Sequence, residues 1–265
     1  MPQRREQLPE SPEQPTPDPS RVVAHRGNAS EFPENTLPAF ASALRAGLSW
    51  VEMDVQLSAD GVPFVIHDAH LDRTTRSTGD MRLMRSGDLA TVDAGEPRRF
   101  GDAHRATALP RLADFAALLG RYPRAGAFVE LKEESIERHG VEACVERSLE
   151  ALGPVAGRCV PISFHEGAIE FARKQAGLPI GWVIRQFSRA QLDLLRALQP
   201  EYVFYNYLKC LGPGATLPEG PWRWVAYEVE DGERARTEFA RGAAMVESML
   251  PLKLAAALAA PGTVA

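Results

Sequence analysis

Eight short apolar runs alternate with amphipathic stretches along this chain, and that alternation constrains the fold more than any other feature. The runs read as strands at 22–25, 50–55, 127–132, 159–164, 179–184, 202–206, 223–229 and 243–248. Several gaps carry helices with readable ends. Thr36-Leu37-Pro38 places a cap-type residue and an early proline before Leu37, Phe40, Leu44 and Leu48. Leu109, Leu112, Phe115 and Leu119 repeat the helical spacing in the second gap. Ser188 can cap a helix carrying Leu192, Leu195 and Leu198, and Asp231 another before Ala235 and Phe239. The sixth unit, KCLGPGATLPEG, is rich in Gly and Pro, so its helix is expected to be short or missing. Strands alternating with helices imply parallel pairing and right-handed crossovers. Eight units in a chain of 265 residues fit an α/β fold of the (β/α)8 TIM-barrel type. An open doubly wound sheet is the competing arrangement, but no GxGxxG follows the first strand.

Two segments fall outside the alternation. Residues 1–20 hold six prolines, four acids and almost nothing apolar, and read as a disordered tail ahead of a single domain at 21–265. The gap between the second and third strands is far longer than a crossover needs, and reads as an insertion at about 56–108 on the active-site face. It opens with a hairpin-like piece, Ala59-Asp60-Gly61 followed by 62–67. Its seven arginines (73, 76, 82, 85, 98, 99 and 105) alternate with Asp72, Asp80, Asp88, Asp93, Glu96 and Asp102. That mixture is read as a solvated loop rather than a positive rim.

Composition narrows the setting. Hydrophobic residues at 45 % are enough for a large core, which excludes a wholly disordered chain. The net charge of −5 lacks the basic excess that a nucleic-acid partner requires. No apolar stretch approaches the ~18 residues of a membrane span, and the N-terminus has no signal-type apolar region. Cys144, Cys159 and Cys210 are odd in number and far apart, as expected of free thiols in the reducing cytoplasm.

The charged residues that interrupt the strands carry the chemistry. Glu52 and Asp54 share one face of their strand, while Val51, Met53 and Val55 take the other. Glu130 and Lys132 likewise share a face, against Val129 and Leu131. The helix-facing side must be apolar, so the charges are expected to point toward the barrel axis. Three converging carboxylates repel one another unless neutralised, and a hard divalent cation, Mg²⁺ or Ca²⁺, is the simplest remedy. A self-satisfied network, with Lys132 pairing to one acid, is the alternative. His25 and His67 both sit at strand ends beside this set, where two imidazoles can accept and donate a proton near neutrality. Arg26 offers a bidentate fork to a phosphate and Lys132 a point charge. Together these groups are suited to breaking a phosphoester bond.

The series His25-Arg26-Gly27, Pro33-Glu34-Asn35-Thr36, Glu52-x-Asp54, Asp60-Gly61, His67-Asp68, Leu71-Asp72-Arg73-Thr74-Thr75 and Glu130-Leu131-Lys132 resembles the glycerophosphodiester phosphodiesterases in order and spacing over roughly residues 22–132. The resemblance implies a (β/α)8 barrel. It also implies metal-dependent hydrolysis of a small glycerophosphodiester to glycerol 3-phosphate and an alcohol. It makes His25 and His67 the acid/base pair, taken here with His25 as base, and Glu52, Asp54 and Glu130 the ligands of one divalent cation. Arg26 and Lys132 contact the phosphate, and the substrate's own neighbouring hydroxyl attacks phosphorus to give a cyclic phosphate that water opens. The second half departs from the family. Ala226-Tyr227-Glu228-Val229-Glu230 stands where a Trp-Thr-Val-Asn type of run is common, and Met245-Val246-Glu247-Ser248 where Gly-Ile-Ile-Thr-Asp is. Glu228 and Glu247 therefore add acid at the substrate end. Phospholipase-D-like cleavage of lysophospholipids is the alternative activity, and a catalytically silent metabolite-binding barrel a third reading.

Overall fold

A computed structural model describes residues 19–210 and 215–260. The expected disordered tail lies outside the described residues except for Pro19 and Ser20, which form one 3₁₀ turn with Arg21. The Arg21 guanidinium donates to the Ala244 carbonyl at 2.6 Å and tethers this turn to the barrel.

Nine strands form one sheet: β1 Val22–His25, β2 Trp50–Leu57, β3 Pro63–Val65, β4 Gly126–Leu131, β5 Cys159–Ser163, β6 Gly181–Ile184, β7 Tyr202–Asn206, β8 Arg223–Tyr227 and β9 Ala243–Ser248. The order is β1-β9-β8-β7-β6-β5-β4-β2, and pairing of β1 with β2 closes it into an eight-stranded parallel barrel. β3 lies outside the ring, antiparallel to β2. Alternation sorts the side chains as expected. Val23, Phe128, Ile162, Val183, Phe204, Val225 and Met245 fill the interior, while Val51, Met53 and Val129 face a larger core with Phe40, Leu44 and Phe115 of the surrounding helices. His25 therefore follows Val23 on the inward face, and Glu130 and Lys132 follow Phe128.

Strand ends shift for local reasons. β2 continues to Leu57 because Val55–Leu57 pairs with β3. The strand expected at 223–229 stops at Tyr227, because Glu228 has φ 64° and cannot stay extended. Thr36 does precede the helix Leu37–Arg45, but its hydroxyl donates to the Pro33 carbonyl at 2.6 Å instead of capping. Ser188 and Asp231 cap as expected, accepting from the backbone N–H of Gln191 and Arg234. Leu109 lies ahead of the helix Leu112–Gly120, not within it. Among the described residues no helix joins β7 to β8, in keeping with the Gly and Pro content there, and none is long and apolar enough to cross a membrane.

The long β2–β4 connection is a packed layer. Phe64, Ile66, Leu71, Met81, Leu89, Val92 and Leu109 form a cluster of their own. Several of its arginines have acidic partners. Arg82 pairs with Asp80, Arg76 with Asp93 and Asp102, and Arg99 with Glu96. Arg85, Arg98, Arg99 and Arg105 are exposed, as are Asp88 and Asp102, so much of this charge faces solvent as the solvated-loop reading expects.

Candidate active site

His25, Arg26, Glu52, Asp54, His67, Glu130 and Lys132 meet at the C-terminal mouth of the barrel. Strand register brings them there. His25 on β1 lies beside Glu52 on β2, and Asp54 on β2 beside Glu130 on β4. His25, Arg26, Glu52, His67, Glu130 and Lys132 line one cleft of ≈ 200 Å³. The rest of its lining mixes the apolar Ile162, Phe164, Val183 and Phe204 with Asn206, Lys209, Tyr227, Glu228 and Glu247. Asp54 lies just beneath, 1 % exposed.

The β1 turn is held under strain. Arg26 has φ 55° and Gly27 φ 82°, and a Cβ on Gly27 would lie 2.7 Å from the backbone of Ala39. Asn35 also has a positive φ of 57°. The two non-glycine residues converge on one oxygen. Arg26 Nε is 3.0 Å from Asp54 Oδ2, and Asn35 Nδ2 donates to the same atom at 2.8 Å. Strain of this kind persists where surrounding structure enforces it.

Charge compensation inside the cleft is uneven. Burial acts to raise the Asp54 carboxyl, but Arg26 and Lys132 outweigh it and hold the group far below the usual carboxylate range. Lys132 Nζ donates to Glu130 Oε1 at 2.8 Å and lies 3.4 Å from Asp54. Glu130 is nevertheless raised, because burial exceeds the help from Lys132. Glu52 is raised well above the ordinary value by burial and by the neighbouring Asp54, Glu247 and Glu130. Burial and Arg26 push the His25 imidazole well below 6.5. The donor set suits a hard cation: oxygens of Glu52, Asp54 and Glu130 lie within 4.8 Å of one another.

His67 lines the same cleft from the segment that follows β3. Its Nδ1 lies 2.5 Å from Asp68 Oδ1. Arg73 grips the far side of Asp68 at 2.6 Å and forms a two-pronged pair with Glu34, both contacts 2.8 Å. Glu34 in turn binds Arg26 at 2.8 Å. A chain of ion pairs thus runs from His67 to Arg26, the neighbour of His25.

A sequence profile of the Glycerophosphoryl diester phosphodiesterase family matches residues 25–212. The chain belongs to that family. The glycerophosphodiester phosphodiesterase of Bacillus altitudinis is 32 % identical over 155 residues, 58 % of this chain and 62 % of that protein. The probable glycerophosphodiester phosphodiesterase 1 of Mycobacterium tuberculosis H37Rv is 31 % identical over 205 residues, 76 % and 72 % of the two chains. The match thus spans less than two thirds of the Bacillus altitudinis relative. An Oleispira antarctica phosphodiesterase, solved with the product sn-glycerol-3-phosphate, superposes with a TM-score of 0.79 over 91 % of this chain and 97 % of that one, at 24 % identity. That likeness supports the barrel fold.

Within this family site, sequence reasoning left several groups unplaced. Glu247, noted only as an added acid, lies 3.2 Å from His25 Nε2. Asp68, Arg73 and Glu34 form the bridge described above, and no spacing rule reveals it because Arg73 reaches the mouth only once its layer folds back. Glu228 accepts from the buried Asn206 at 2.9 Å. His165, just past the end of β5, caps the helix Glu166–Ala176 through Nδ1. Trp182, Tyr205 and Trp224 are core residues.

Proposed function

We propose that this protein hydrolyses small glycerophosphodiesters to glycerol 3-phosphate and an alcohol, with His25 and His67 as general base and acid. The observation that carries the reading is the convergence of both imidazoles, Arg26, Lys132 and three carboxylates on one cleft. The names of the relatives point to the same reaction, as does the product bound to the Oleispira antarctica enzyme. A cleft of ≈ 200 Å³ favours a small diester over a lipid.

His25, held neutral by burial, presents Nε2 to the cleft and accepts the proton of the substrate hydroxyl adjacent to the phosphate. His67 has Nδ1 committed to Asp68, which leaves Nε2 to deliver a proton to the departing alkoxide. The cyclic phosphate that results is opened by water, with the two roles exchanged. Lys132 and Arg26 face the phosphoryl oxygens while their carboxylate partners fix their positions. A divalent cation, Mg²⁺ or Ca²⁺, held by Glu52, Asp54 and Glu130 supplies stabilisation of the charge on phosphorus oxygens.

The test is release of glycerol 3-phosphate from glycerophosphocholine with Mg²⁺ or Ca²⁺. Chelation is expected to abolish turnover, and His25→Ala and His67→Ala each to lower kcat by ~10²–10⁴. Full rates in both variants would overturn the acid/base assignment.

A further inference from the structure

Negative charge in the cleft is not neutralised evenly. Asp54 has Arg26 at 3.0 Å, Lys132 at 3.4 Å and Asn35 at 2.8 Å. Glu130 has Lys132 at 2.8 Å. Glu34 has two arginines. Glu52 and Glu247 have neither Arg nor Lys within ion-pair reach among the described residues. Glu52 accepts only the Arg26 backbone N–H, at 3.2 Å. Glu247, 3 % exposed, touches only the imidazole of His25, at 3.2 Å.

A buried carboxylate without a cation or a set of donors is costly to keep charged. Two such groups on either side of one imidazole are worse, because like charges repel. The shortfall of positive charge therefore lies between Glu52 on β2 and Glu247 on β9, on either side of His25 on β1. It is smaller between β2 and β4, where Arg26 and Lys132 supply part of the positive charge. Geometry permits the corresponding ion. Ligand atoms of His25, Glu52 and Glu247 lie within 4.8 Å of one another, and Glu52 also belongs to the equally close Glu52-Asp54-Glu130 group. The Glu247 side chain lines the same cleft.

We propose that Glu247 is a further carboxylate ligand of the divalent cation, which Glu52 shares between the two groups. The inference rests on the cation-dependent reading above and extends it to β9. Glu247 also meets His25, so binding the ion through this residue frees Nε2 to meet the substrate.

The experiment is a Mn²⁺ titration of the metal-stripped full chain by calorimetry, with wild type, Glu247→Gln, Glu247→Ile and Glu52→Gln. Loss of Glu247 is expected to weaken Mn²⁺ binding by about 10- to 100-fold, the range found even for groups one step removed from a metal. Binding within twofold of wild type in both Glu247 variants, with Glu52→Gln impaired, would overturn this proposal and leave the cation reading intact. Unimpaired binding in Glu52→Gln as well would overturn the cation reading, and this proposal with it. A crystal structure of the wild type with Mn²⁺ needs no variant to fold. A Glu247 oxygen within about 2.6 Å of the ion supports the assignment, and one pointing away to His25 alone refutes it.

Discussion

Asp68 Oδ1 and His67 Nδ1 lie 2.5 Å apart, and Arg73 holds Asp68 in place from the other side. The carboxylate is kept far below its usual range, first by its bond with His67 and then, against the opposing effect of burial, by Arg73. It therefore stays ionised and directs the Nδ1 proton toward itself, which fixes the tautomer that leaves Nε2 for the substrate. Asp68→Asn is expected to lower kcat by about 10²-fold with a much smaller change in KM, as befits a group that orients an acid/base residue. Steady-state kinetics on glycerophosphocholine reads this directly. Equal loss in kcat and rise in KM would mean that Asp68 shapes the cleft and not the imidazole.

Arg73 ties the β2–β4 layer to the barrel through Glu34. Glu34 is 6 % exposed, but Arg73 is 40 % exposed at its side chain, so the pair is partly screened by solvent. Glu34 also keeps Arg26 when Arg73 is removed. Arg73→Ala is therefore expected to cost only about 1–2 kcal/mol, while activity falls more sharply because Asp68 loses its anchor. Chemical denaturation measures the first effect and turnover the second. A stability loss with unchanged kcat would separate the anchor from the chemistry.

The barrel and the catalytic cleft were legible because both depend on a short period. Glu52 and Asp54, like Glu130 and Lys132, sit two apart on strands whose other face is apolar, so inward pointing followed from alternation alone. The helices Glu133–His139 and Val141–Leu152 were not named beforehand, since their mixed charge blurs the apolar stripe. Leu109 kept helical spacing by coincidence, and belongs to the layer's own cluster. The Glu34–Arg73–Asp68 bridge joins residues up to 39 positions apart across two structural layers. Glu247 was visible as an anomaly, but its nearness to His25 depends on the closure of β9 onto β1.

Gly27 is a position where the backbone requires glycine. It has φ 82°, and an added Cβ would meet Ala39 and Phe40 backbone atoms at 2.7–2.8 Å, which a rigid helix cannot yield. Gly27→Ala is expected to destabilise by about 2–4 kcal/mol, combining left-handed strain with overpacking. For a domain of this size that lowers Tm by roughly 4–16 °C. Because His25 and Arg26 precede it, a displaced turn also lowers kcat. Retention of wild-type Tm would show that the turn can repack at little cost.

Removing the cation leaves a pH signature whose sign can be worked out. Glu52 and Glu247 are raised well above 4.5 by burial and by neighbouring carboxylates. Between the unfolded and folded values the native state binds more protons, so their contribution is complete below about pH 4.5 and is lost as pH rises through the raised values. His25, lowered from 6.5 by burial and Arg26, acts in the opposite sense: its contribution is present above pH 6.5 and is lost on acidification. The two effects oppose each other between pH 4.5 and 6.5, so the carboxylate effect is isolated by comparison with a variant that lacks one of the two groups. Tm in chelator is expected to fall relative to that of Glu247→Gln as pH rises from 4.5 through the raised carboxylate values, by up to about 1.4 kcal/mol of stability per pH unit for each proton released. Excess Mg²⁺ should flatten the slope, because the ion replaces the protons. Glu247→Gln, which has no proton to lose, should flatten it without the ion. A chelated wild type whose Tm tracks that of Glu247→Gln at every pH from 4.5 upward would show that the carboxylate is already compensated, and would remove the reason for a cation to bind there.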